Sequence, residues 1–477
     1  MHVLKKRRLS AAALLAAAGI AAYGASMIST DVASANVPAS PSVNCTASDG
    51  KISGRGSTYQ TIIMGDWWND FASDVCGNVA DQYSGDPGGT DMGAYNYPST
   101  SAGSGFTGSG NGQKAANCRT DAYAGTDIPY SEAQLNGLDG TPGNSVIGGC
   151  STFPTLPYTP QSSTFPEAAD TTSPLMSFPI AGSSVALEIN LTAAECGGTL
   201  PSIKLTASQV DNIFGGNVAN WSSIISSCNE PITRVVREDN SGTTNIFKLY
   251  LGRVDNSRTG ATCDPSLTWT AANVSPNTDW PSGSGCTPVT SATTSGGPAL
   301  LSTLESTPGG IGYADLADAD ASTVSGLIQA TVQNAAGTSY TSPASGKGAN
   351  CTYSSLTLPG FSSSDAVGLN LTDNWGNDNA TVNGPTYGSI DHVNATDLGT
   401  QYPICGLTFD LVYSGLSAGP SGASAITGLT ADQRRTLYSF FTYVLSSTAQ
   451  EKLSSLYYAA LPSLWIPTLQ EGFQANF

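Results

Sequence analysis

Positive charge is scarce in this sequence. Its 477 residues include 18 Lys and Arg against 36 Asp and Glu, a net charge of −18 at pH 7. Such a balance repels a phosphate backbone and excludes general nucleic-acid binding. Histidine is rarer still, with only His2 and His392, and no Cys-x-x-Cys pair occurs. Zinc sites are built from such ligands, so no metal site and no cofactor is expected. Beyond residue 25 no run is apolar enough to span a bilayer. No repeat of fixed period occurs either, which argues against a solenoid.

What is present begins with Lys5, Lys6, Arg7 and Arg8, an Ala-rich apolar run to about Ala25, and then Ala33-Ser34-Ala35. A basic start, a short apolar run and small residues predict an export signal over residues 1–35, cleaved after Ala35. Cleavage removes four of the 18 basic residues and one acid, Asp31, of the 36, leaving 14 against 35, or −21. About 440 residues remain, enough for two domains or lobes. All ten cysteines, Cys45 to Cys405, follow the signal. An even number in an exported chain predicts disulfides.

Three polar stretches, Leu135–Ser173, Ser282–Pro298 and Thr338–Gly388, read as surface loops. Between them, Ile63, Trp67, Phe71 and Val75 recur every four residues and mark a helix face. Thr206 with Gln209, and Thr430 with Gln433, read as capping boxes opening two more helices, the first terminated at Gly215. Val185, Leu187 and Ile189 alternate as in a strand, and Arg234 to Arg237 suits a short buried one. Alternating strands and helices predict an α/β fold.

Three segments carry the candidate chemistry: Gly54-Arg55-Gly56-Ser57-Thr58-Tyr59, Gly108-Ser109-Gly110-Asn111-Gly112, and Asp239-Asn240-Ser241-Gly242-Thr243-Thr244. Each sets hydroxyls and glycines just before a helix-like stretch. A helix start offers unpaired N–H groups and partial positive charge, which suits an anion. Glycine admits close backbone approach, and Ser or Thr adds a donor. Arg237, two residues before Asp239, adds a guanidinium that can grip an oxyanion with two bonds.

These segments resemble motifs of the phosphate-binding proteins of bacterial phosphate ABC transporters, within the periplasmic substrate-binding superfamily. Ala124-Gly125-Thr126-Asp127-Ile128-Pro129 followed by Ser131 is similar to a further motif of that family, and Arg237 to Thr243 matches its most specific one. Phe214 to Trp221, Thr307 to Tyr313, Tyr402-Pro403-Ile404 and Tyr458 to Pro462 extend the likeness in the same order. The resemblance implies an α/β, two-lobed periplasmic-binding-protein fold with a central cleft and a hinge crossed twice, near Phe178-Pro179 and Tyr402 to Cys405. Lobe I would comprise residues 36–180 and 405–477, and lobe II residues 181–404. The implied phosphate contacts are Thr58, Tyr59, Ser109 and Asp127 from lobe I, with Arg237, Asp239, Ser241, Gly242 and Thr243 from lobe II. Ser57 is a possible neighbour, and Asp239 is expected mainly to orient Arg237.

Asp127 gives this set its selectivity. An ionised carboxylate only accepts hydrogen bonds, so it can take the proton of a phosphate but meets only lone pairs on a sulfate. The implied role is an exported monomer that binds inorganic phosphate, performs no chemistry on it and hands it to an ABC-transporter permease. Cys45 follows Ser-Val-Asn, which is no lipidation box, so a secreted, envelope or periplasmic location without a lipid anchor is expected. Disulfides are expected within lobes, plus Cys351–Cys405, because a bridge across the cleft would oppose closure. Another oxyanion or a phosphate ester stays open as ligand. A phosphatase using Ser241 or Ser109 is the remaining alternative, but a serine nucleophile needs an adjacent base, and His392 lies in a polar insertion.

Overall fold

The computed structural model describes residues 52–74, 93–96, 108–118, 121–128, 175–237, 239–254, 280, 289–291, 296–321, 326–353, 399–413, 429 and 431–476. The expected signal and cleavage point, Val75, the Leu135–Ser173 stretch, Thr430, His392 and Cys45, Cys76, Cys150, Cys263 and Cys286 lie outside these residues.

The strands, in chain order, begin with β1 (Ile52–Gly56), β2 (Gly93–Asn96), β3 (Tyr123–Thr126) and the long β4 (Leu175–Ile189). There follow β5 (Lys204–Leu205), β6 (Thr233–Val236), β7 (Val289–Ser291), β8 (Gly310–Asp315), β9 (Ile328–Gln329) and β10 (Thr331–Gln333). The last are β11 (Tyr340–Thr341), β12 (Ala344–Ser345), β13 (Gly348–Ala349) and β14 (Cys405–Tyr413). A nine-stranded sheet runs β2-β1-β3-β14-β4-β8-β6-β7, with β9 beside β4. Its two ends are parallel, β2-β1-β3 and β8-β6-β7. The antiparallel strands β4 and β14 join them into two lobes: β4 pairs with β14 up to Ser184 and with β8 from Val185 onward.

The helices on the first lobe are α1 (Thr61–Asp74) and α2 (Ser109–Cys118). On the second lie α3 (Ala207–Phe214), α4 (Gly242–Val254), α5 (Gly297–Glu305) and α6 (Leu316–Ala321). Then α7 (Ala431–Val444), α8 (Ser447–Lys452) and α9 (Trp465–Asn476) close the chain. No described helix is long and apolar enough to cross a membrane.

Local sequence explains most of these elements. Ile63, Met64, Trp67, Trp68 and Phe71 of α1 are all buried. Trp68 stacks on Phe440 of α7 with centroids 3.7 Å apart, so two helices far apart in sequence share one aromatic core. Each such ring contributes on the order of 1.5–3 kcal/mol by burial. Thr206 and Gln209 form the expected reciprocal capping box of α3, which ends at Gly215. The alternation of Val185, Leu187 and Ile189 belongs to β4, and Thr233–Val236 forms the buried strand β6.

Cys351–Cys405 and Cys196–Cys228 are bridged. The former is the pair expected beside a hinge crossing, and the latter closes a local loop before β6. The loop reading of Thr338–Gly388 needs correction at its start. Residues 338–353 carry β11, β12 and β13, and Tyr353 is 2% exposed, its hydroxyl donating to the Gly406 carbonyl. Strands of two residues leave no periodicity to read. The Ser282–Pro298 loop likewise contains β7 and ends inside α5, whose Pro298 occupies the first turn.

Candidate functional site

The three glycine- and hydroxyl-rich segments fall at helix starts and converge at the carboxyl ends of the parallel strands, where ligands of open α/β sheets bind. Residues 57–60 follow β1, with Ser57 capping a single 3-10 turn that leads into α1. Ser109 opens α2, and Gly242 opens α4. Gly108 N donates to Gly56 O at 2.8 Å, and Gly110 N to Asn240 O at 3.2 Å. The second segment thus touches the first within one lobe and the third across the cleft. Gly108 has φ +96, a left-handed conformation that glycine adopts without strain, and a Cβ there would meet Asn240 O and Asp239 Oδ2. At Gly242 a Cβ would collide with Ser109 Oγ and Asp127 Oδ2. Only glycine lets the α4 start approach this close.

Asp127 follows β3 and is 1% exposed. Ser57 Oγ donates to both its carboxylate oxygens, at 2.6 and 2.7 Å. Thr408 Oγ1 donates to Oδ1 at 2.7 Å, and Ser109 Oγ to Oδ2 at 3.0 Å. Thr408 comes from β14, next to a register shift in its pairing with β4: Thr408 lies opposite Ala181 and Phe409 opposite Pro179, with Ile180 the extra residue between them. Burial pushes the Asp127 carboxyl up to about 6, against the opposing pull of the Ser57, Thr408 and Ser109 hydroxyls. At neutral pH it remains an acceptor. Below that range it becomes a donor.

The opposite wall belongs to Arg237, which follows β6 and is 2% exposed. Asp239 takes one edge of its guanidinium with both carboxylate oxygens, Nε donating to Oδ1 at 2.6 Å and Nη2 to Oδ2 at 2.5 Å. Nη2 also donates to Thr58 Oγ1 across the cleft at 3.2 Å. The Arg237 backbone N–H points to the Tyr313 hydroxyl at 3.4 Å, and that hydroxyl shares a 2.7 Å bond with Thr244 Oγ1. Fixed at side chain and backbone, Arg237 loses little freedom on meeting an anion.

The structure therefore brings together Thr58, Ser109, Asp127, Arg237, Asp239 and Gly242. Ser241 Oγ accepts from Thr244 N at 3.2 Å and so caps α4. Thr243 Oγ1 is buried with no hydrogen-bond partner among the described residues, a donor left for something else. Tyr59 stands apart. Its ring is buried against Tyr458, its hydroxyl donates to Gly406 O at 3.4 Å, and its amide donates to Ser57 Oγ.

Thr408 and Asp410 escaped the sequence reading. Both lie on one face of β14, visible in retrospect as the alternation Leu407-Thr408-Phe409-Asp410-Leu411. Asp410 is fully buried, and neither carboxyl oxygen has a hydrogen-bond partner among the described residues. Burial, then the neighbouring Asp127 charge, push its carboxyl well above the usual range. No group of side chains suited to a metal ion occurs among the described residues.

Comparison with solved structures places this architecture. A phosphate-binding protein from Stenotrophomonas maltophilia superposes with a TM-score of 0.51 at 16% identity, covering 88% of this chain and 93% of that one. This is a periplasmic-binding-protein fold. A human phosphate-binding apolipoprotein gives a TM-score of 0.53 at 17% identity with the same coverage, and a DING protein 0.52 at 16%. Residues 158–357 match the family described as a PBP superfamily domain, a span holding β4 and the second lobe's sheet. No curated protein sequence matches the chain.

Proposed function

We propose that this chain is an exported solute-binding protein that holds one inorganic phosphate ion between its lobes without chemical change. The observation that carries the reading is the pairing of a buried, ionised acceptor, Asp127, with a pre-oriented guanidinium, Arg237, at three convergent helix starts. Donors alone would serve any tetrahedral oxyanion. An acceptor facing the same ion is useful only if that ion brings a proton. The neighbours of like fold include phosphate-binding proteins, which supports the same reading.

In this reading Thr58, Ser109, Asp127, Arg237, Ser241, Gly242 and Thr243 meet the anion, and Asp239 orients Arg237. Tyr59 contributes backbone position rather than its ring. Lobe I comprises residues 36–180 and 405–477, lobe II residues 181–404. Residues 1–35 direct export, and the mature chain, monomeric and without a lipid anchor, passes its ion to an ABC-transporter permease. The acidic balance of −21 slows encounter with an anion, and added salt weakens that long-range repulsion. The near donors outweigh it.

Equilibrium dialysis of the mature chain against labelled phosphate, with and without excess sulfate, tests the proposal. Retention of one phosphate per chain, undiminished by sulfate, is expected. Sulfate competing as an equal, or release of product from a generic phosphate ester, would contradict it.

A further inference from the structure

The Thr307 to Tyr313 stretch ends in a group that the phosphate contacts do not use. Tyr313 and Asp315 stand two residues apart on β8, so both lie on one face of the strand. Tyr313 is the residue that holds the Arg237 backbone. Asp315 and Asp318, the latter from α6, are 1% and 6% exposed. Asp318 N donates to Asp315 Oδ2 at 3.1 Å, and the two carboxyls lie within hydrogen-bonding reach of each other. Two carboxylates in such contact need a proton between them. Asp315 Oδ1 and Asp318 Oδ2 receive no hydrogen bond from any other described residue. A Cβ at Gly297, the first residue of α5, would collide with Asp318 Oδ2, so the acid is packed onto that helix start.

The charges around this pair come from every side. Arg237, after β6, acts on both acids and favours their ionised forms. From the other lobe, Asp127 and the hydroxyls of Tyr59 and Tyr458 lie within electrostatic range of Asp315. Asp320, further along α6, interacts instead with Glu188 of β4 and with Tyr457. The α5 start contributes Gly296, Gly297 and Pro298, none of which titrates. Among the described residues, Arg237 is the cation these interactions place at the pair. Counting Asp127 and Asp239, full ionisation would set four carboxylates against one guanidinium at a site meant for an anion.

We propose that Asp315 and Asp318 are positioning residues that act through Arg237: they share one proton within electrostatic range of the guanidinium, which leaves its charge available to the bound anion. The inference rests on the phosphate-binding reading and deepens it by naming what sets the strength of the cationic wall. Burial raises both carboxyls, Asp318 well above the usual range, in keeping with a retained proton. Loss of that proton at alkaline pH adds a negative charge beside Arg237 and weakens anion binding. A charge change at such range shifts an equilibrium by about tenfold or more.

Asp318→Asn keeps the shape and fixes the pair at a single charge, with the amide as a permanent donor to Asp315. Asp315→Asn is the mirror-image variant and serves if the first does not fold. Calorimetric titration with inorganic phosphate from about pH 5 to pH 10 is compared with thermal unfolding in its absence over the same range. Ionisation of the ligand and of Asp127 is common to all proteins, so the comparison isolates the pair. The expected result is near-equal affinity at neutral pH, and a fall toward alkaline pH about tenfold steeper in the wild type than in Asp318→Asn. The unfolding midpoint should also drop more steeply in the wild type, because a raised folded pKa gives stability that is lost as pH rises. Superimposable pH profiles would overturn the proposal. A wild type that binds no phosphate at neutral pH would instead sink the proposed function, and the pair's role toward the anion with it, even if the unfolding profiles diverge.

Discussion

Asp127 and Arg237 face one small site from two lobes, and their surroundings differ in kind. Asp127 is ringed by neutral hydroxyls from Ser57, Ser109 and Thr408. Arg237 is surrounded by carboxyl groups in the electrostatic sense, with Asp239 bound directly and the Asp315–Asp318 pair within electrostatic range. The first wall keeps a carboxylate ionised without neutralising it. The second holds a guanidinium rigid while partly offsetting its charge. In the proposed function this divides the work: the first lobe reads the ligand's proton and the second attracts its charge.

Removing Arg237 should break the comparison most severely. Arg237→Ala leaves Asp239 buried and unpaired, and truncation of such a pair costs about 2–5 kcal/mol. Phosphate affinity should fall on the order of a hundredfold or more, measured by calorimetry, with little change in the preference for phosphate over other oxyanions.

Asp127→Asn should do the reverse. The mismatch it removes is about 1–3 kcal/mol, so the phosphate-to-sulfate preference should fall about tenfold or more while total anion affinity changes less. The same preference should decline in the wild type as pH falls through about 6, where Asp127 gains its proton and becomes a donor. Competition binding between pH 8 and 5 reads this directly.

Asp410 tests the first wall from beneath. Its folded-state carboxyl is raised, so the protein loses stability as pH climbs above the unfolded carboxylate range. Asp410→Asn removes that loss, so the variant should gain unfolding stability relative to the wild type at pH 8 and less of it at pH 4. The smallest effect belongs to Thr408→Val. Losing one hydroxyl costs about 1 kcal/mol, and the pH at which selectivity declines should move upward, because this hydroxyl helps keep Asp127 ionised.

The division of labour was only half legible in the sequence. Helix starts are local, so glycine and hydroxyl clusters at 54–59, 108–112 and 239–244 announce themselves, and Arg237 lies two residues from the carboxylate that clamps it. The Thr206 capping box and the α1 aromatic face are local for the same reason. The rest of the first wall is not. Thr408 meets Asp127 across a sequence separation of 281, and its role depends on the register of β14 against β3. The Asp315–Asp318 pair reads locally as a strand end running into a short helix. Only the packing of α5 and the approach of Arg237 give its acids a shared environment. Tyr59 sits within a site motif, but its ring is buried against Tyr458 while its amide donates to Ser57 Oγ.

In the proposed function, Asp127 selects by asking its guest for a hydrogen. Calorimetry of wild type and Asp127→Asn against phosphate and sulfate at about pH 7.5 tests it most directly. The wild type is expected to bind phosphate alone, and Asp127→Asn to bind sulfate measurably once the carboxylate becomes an amide. An Asp127→Asn protein that still rejects sulfate while binding phosphate as before would contradict it.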